Sequence, residues 1–110
     1  MRSNTDRLRD VLEAVERIEK YAAKGKGAFE TDELIQNWIV SHLRIIGEAC
    51  RAISDDFRHA LTDIPWSEII GMRNILFHHY FEIDKDIVWG VVENELADLA
   101  AKMRNILGPE

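Results

Sequence analysis

The sequence predicts an all-α protein, an up-and-down bundle of four main helices plus a short turn, and three observations predict it. Apolar residues recur three and four apart through most of the chain, the spacing of one helical face. No segment alternates convincingly with the period of two that a half-buried strand requires. The helix-breaking residues gather at segment ends, as Lys24-Gly25-Lys26-Gly27, Pro65 and Gly108-Pro109. With 110 residues, the chain is expected to form a single domain, 1–110, around one core.

In the first helix Leu8, Val11, Leu12, Val15, Ile18 and Ala22 share a face, and Asn4 or Thr5 is placed to cap its start. Glu13 and Arg17, and Glu16 and Lys20, stand four apart with the acid first, an arrangement that supports an exposed helical surface. The Lys24–Gly27 run reads as a C-cap and loop, since it lacks the spacing of a phosphate-binding loop.

A second, long helix is expected from near Thr31. Its apolar residues Leu34, Ile35, Trp38, Ile39, Leu43, Ile45, Ile46, Ala49 and Ile53 exceed one narrow stripe, so it should be covered on two sides, by the bundle and by a partner subunit. Gly47 within it suggests close helix approach. Ser54 to His59 reads as a capped short turn, and Pro65 opens a third main helix. The last helix, capped by Asp84 or Asp86, carries Val88, Trp89, Val92, Leu96, Leu99, Met103 and Leu107 on one face.

Composition excludes several classes. Hydrophobic residues make up 46% and charged ones 31%, the balance of a folded chain. A net charge of -6 argues against a protein that coats nucleic acid generally, so any RNA contact must come from a local patch. Cys50 is the only cysteine, which rules out an internal disulfide and suits a reducing cytoplasm; its apolar surroundings predict inert core. No run reaches the roughly 18 apolar residues of a membrane span, and no signal peptide is visible.

Chemistry concentrates in Arg73-Asn74-Ile75-Leu76-Phe77-His78-His79-Tyr80, which brings together a fixed cation, an amide, an imidazole and a phenol. On a helix Arg73 and Tyr80 share one stripe, and Asn74 and His78 the neighbouring one. A metal site is not expected: His42, His59 and the adjacent His78-His79 offer no pair at ligating helical spacing. Metal-free RNA cleavage needs less, because the ribose 2′-hydroxyl is the nucleophile. The protein must move two protons and neutralise charge on the phosphorus, tasks that suit histidine and arginine. Asn74, one turn before His78, can hold the imidazole or a phosphate oxygen.

One histidine does not easily serve as both base and acid, so a homodimer bringing a second Arg73 and His78 to the cleft is a physical expectation. Glu48 either pairs with Arg44 four residues earlier or faces the cleft and orients Arg73 or His78. Tyr80 can stack on a base or pack in the groove. His59 is expected to be exposed and His79 to play no chemical part; spacing assigns His42 no face.

The pattern R-x-x-x-x-H-x-Y, with Pro65-Trp66 and Gly71-Met72 ahead of it and Ile46-Gly47-Glu48-Ala49 in an earlier helix, resembles the HepT branch of the HEPN superfamily. That resemblance implies a small all-helical toxin of a type II toxin-antitoxin system, a metal-independent endoribonuclease without cofactors. It also implies catalysis by Arg73 and His78 at a homodimer cleft. In such toxins the motif tyrosine, here Tyr80, accepts AMP from a cognate MNT nucleotidyltransferase antitoxin. The alternative is a non-catalytic helical subunit that binds a nucleotidyltransferase or a nucleotide through the same residues.

Overall fold

The computed structural model describes residues 3–78 and 84–108, with side chains described outside 73–78. The described residues form α-helices and no strands: α1 (Asn4–Ala22), α2 (Lys26–Thr31), α3 (Glu33–Ala52), α4 (Asp55–Ala60), α5 (Trp66–His78), α6 (Lys85–Asn94) and α7 (Leu96–Leu107). The all-α expectation holds, with seven helices among the described residues where four main helices and a short turn were expected.

The apolar face of α1 is buried at Leu8, Val11, Val15 and Ile18 as its spacing requires. Its cap lies one residue earlier than expected. Ser3 accepts from the Asp6 amide while the Asp6 carboxylate accepts from the Ser3 amide, a reciprocal pair that satisfies two donors at once. Asn4 is thereby left to bind elsewhere. Its amide donates to Ser54 Oγ and its carbonyl accepts from the Ser54 backbone, both at 3.1 Å, tying the start of α1 to the end of α3. Glu13 pairs with Arg17 as expected, whereas Glu16 reaches Arg104 of α7 at 3.9 Å and not Lys20.

The Lys24–Gly27 run is only partly a loop. Gly25 takes a positive φ of 94°, a conformation that glycine enters at little cost, and α2 begins directly after it. Six residues are too few for a helix to stand alone, so tertiary contacts hold this one. Phe29 is fully buried with its ring 5.4 Å from that of Trp89, and the Gln36 amide donates to the Phe29 carbonyl at 2.8 Å. Thr31 consequently ends α2, donating to the Gly27 carbonyl, and Asp32 caps α3 by accepting from the Leu34 amide.

Helix α3 is the centre of the molecule, with α1 and α5 packed along it and α2 at its N-terminal end. Ile35, Ile39, Leu43, Ile46, Gly47, Ala49 and Ile53 are buried, while Leu34 and Ile45 stay 80% and 41% exposed. Ser54 caps α4 and Asp84 caps α6, as their positions predict.

The expected single last helix is interrupted at Glu95, whose φ of -112° departs from helical geometry. Neither glycine nor proline marks the spot. α6 meets both α1 and α2, the latter through Trp89 and Phe29, and α7 packs on α1, with Leu96, Leu99 and Met103 buried.

Candidate functional site

Arg73, Asn74 and His78 all stand on α5, in the part that follows the buried pair Trp66 and Ile69. Proline at 65 sets the start of this helix: the Ile69 amide donates to the Pro65 carbonyl at 3.1 Å, and Trp66 Nε1 donates to the Leu61 carbonyl at 2.9 Å. In helical register Arg73 follows Ile69 by four. Asn74 and His78 follow Gly71 by three and seven, on a separate stripe that begins at Ser67. The side chains of Arg73, Asn74 and His78, and the residues His79 and Tyr80, lie outside the description.

Beside the start of that second stripe lies an open groove of about 600 Å³ between α4 and α5. Arg58, His59 and Thr62 line one wall, and Ser67, Ile70 and Gly71 the other. His59 is exposed, as expected. The Arg58 guanidinium is held by Asp55 through Nη2, and its Nε is buried with no hydrogen-bond partner.

The remaining candidates separate clearly. Glu48 is exposed on α3, between buried Gly47 and Ala49. His42 is only 7% exposed. Its Nδ1 donates to the Trp38 carbonyl at 2.7 Å, since a carbonyl can only accept, and its ring lies 4.4 Å from the Trp38 ring. It is an anchored part of the α1–α3 packing. Cys50 is buried, and burial pushes its thiol up to about 12 against an opposing pull from Arg58. A thiol that stays protonated is no nucleophile, which agrees with its reading as core. Among the described residues no three His, Cys, Asp or Glu side chains gather as a metal-binding group, and no helix is long and apolar enough to cross a membrane.

Comparison with known proteins bears on the same stretch. The model of the family described as Ribonuclease HepT-like matches residues 11–106. A Thermococcus cleftensis protein named probable ribonuclease HepT is 35% identical over 106 residues, covering 96% of each chain. A Methanocaldococcus jannaschii protein named "Putative RNase" is 36% identical over 90 residues, covering 81% of this chain and 83% of its own. No solved structure matches the chain. With α5 and its motif inside a match that runs from α1 to α7, this chain belongs to the Ribonuclease HepT-like family.

Proposed function

We propose that this chain is a metal-independent endoribonuclease and the toxin of a type II toxin-antitoxin system, acting in the cytoplasm as one helical domain per protomer. The observation that carries the reading is the family match over residues 11–106, together with the placement of Arg73, Asn74 and His78 on one helix. In the reaction the ribose 2′-oxygen bonds to the adjacent phosphorus and the phosphorus–5′-oxygen bond breaks. His78 removes the 2′ proton, and His78 of a second protomer protonates the leaving oxygen. Arg73 neutralises the phosphoryl oxygens with its planar fork, and Asn74 holds the imidazole or the phosphate. Glu48 supports this set from α3 by orienting Arg73 or His78.

The homodimer follows from the need for two proton-transfer groups. Its support in the fold is the exposed apolar pair Leu34 and Ile45 on α3, the helix whose sequence calls for cover on a second side. Silencing is by a cognate MNT nucleotidyltransferase that moves AMP from ATP to Tyr80: the phenol oxygen loses its proton and bonds to the α-phosphorus as the α–β phosphoanhydride bond breaks and pyrophosphate leaves. The added phosphodiester carries negative charge and fills the groove that RNA must enter.

The test is RNA cleavage by purified protein in excess chelator, comparing wild type with Arg73→Ala and His78→Ala. Loss in both variants supports the proposal. Absence of cleavage by every form favours the non-catalytic subunit, and continued ATP-dependent silencing of Tyr80→Phe discards the modification.

A further inference from the structure

We infer that the groove between α4 and α5 is a subsite for a nucleotide flanking the scissile bond, so that single-stranded RNA lies lengthwise along α5. The inference rests on the ribonuclease reading and adds to it where the substrate runs. Its basis is register: Ser67, Gly71, Asn74 and His78 fall at successive spacings of four, three and four, which keeps them on one stripe of the helix. The first two line the groove. Eleven residues at 1.5 Å rise put His78 roughly 16 Å beyond Ser67, a length that more than one nucleotide must span.

The lining has the chemistry a nucleotide needs. Arg58 supplies a guanidinium fixed in place by Asp55, suited to a phosphate oxygen. His59 is an exposed planar ring against which a base can stack, and Ile70 offers apolar surface beneath it. The hydroxyls of Thr62 and Ser67 donate and accept, as base edges and ribose require. A volume of about 600 Å³ falls within the range of small-ligand sites. In a chain of net charge -6 the Arg58 guanidinium is a local cation at this groove, its charge offset by Asp55, which lines the same groove.

Gly71 provides the test, because it lines the groove and a Cβ built there meets nothing within 4 Å, so a side chain can be added at the groove wall. Gly90 on α6 is equally open and serves as the control away from the groove. Binding is read by fluorescence anisotropy with a labelled single-stranded RNA made uncleavable by 2′-deoxy substitution. Gly71→Phe should weaken binding about tenfold, the scale of one lost stacked base, with smaller losses for His59→Ala and Ser67→Ala, while Gly90→Phe binds as wild type.

If Gly71→Phe melts like wild type and binds RNA equally well, the subsite is wrong, even where cleavage by wild type and its loss in His78→Ala uphold the ribonuclease. If wild type neither binds nor cuts RNA, both readings fall. Binding that weakens in Gly71→Phe without any cleavage keeps the groove and removes the catalytic reading. Unchanged RNA affinity with weakened binding of the nucleotidyltransferase assigns the groove to a protein partner and overturns the inference.

Discussion

Helices α3 and α5 each carry a histidine within a mainly apolar helix, yet the fold treats the two helices differently. α3 is enclosed by α1 on one flank and α5 on the other, and its His42 is locked by one hydrogen bond to Trp38 and by contact with the Trp38 ring. α5 packs mainly against α3 among the described residues, and the stripe that leads through Gly71 to His78 starts beside an open groove. A buried imidazole with a fixed partner contributes to stability, whereas His78 is proposed to act on a substrate from the far end of a stripe that starts at a groove.

Substitutions can break this contrast, and the largest effect is expected at His78, the proposed catalytic histidine. His78→Ala should lower RNA cleavage by roughly a hundredfold or more, the scale of a lost proton-transfer group, while leaving urea unfolding near wild type. An equal loss of cleavage in His42→Ala, with no loss of stability, would erase the distinction between the helices. Leu43→Ala, at a fully buried position of α3, should cost about 3 kcal/mol in urea unfolding through lost burial and the cavity left behind. His42→Ala should cost less, about 2 kcal/mol, and retain cleavage.

Asn4→Ala removes the clasp between α1 and the end of α3 and should cost about 1 kcal/mol by the same measurement, since its bonds are exposed. Cys50 gives the smallest effect at neutral pH. Its folded pKa is raised from 9.0 to about 12, so the unfolded chain loses its proton first. Stability from this group is therefore complete below about pH 9 and falls as pH rises from there towards 12. Urea unfolding at several alkaline pH values should show a shallower decline in Cys50→Ala than in wild type. At neutral pH the native thiol should resist alkylation.

The periodic spacing of apolar residues was enough to read the helices and most of the core: Leu8, Val11, Val15 and Ile18 of α1, and Ile35, Ile39, Leu43 and Ile46 of α3, are buried where the three-and-four pattern puts them. The Ser54 and Asp84 caps were legible because a short polar side chain ahead of an apolar run has a local reason to be there. The cap of α1 was misplaced by one residue. Ser3 and Asp6 form a reciprocal pair, and Asn4 is engaged with Ser54, fifty residues away, a contact no local pattern contains. Helix α2 was missed for a related reason, since it is held by Phe29 meeting Trp89, sixty residues away.

At the candidate site the sequence supplied residue types and their register along α5, because helical geometry fixes which residues share a stripe once the helix is granted. Arg58, Thr62 and Ser67 were not singled out, although the spacing from Ser67 to His78 was there to be read. What the sequence determined by itself is the helical character of the chain, the composition of its core and the order of chemical groups on α5, all of which follow from interactions between near neighbours. Only tertiary structure decided that His42 is enclosed, that α4 stands apart from α5 to leave a groove, and where the last helix bends. Those outcomes depend on which distant segments pack together, and burial, unlike helical periodicity, is a property of the assembled neighbours.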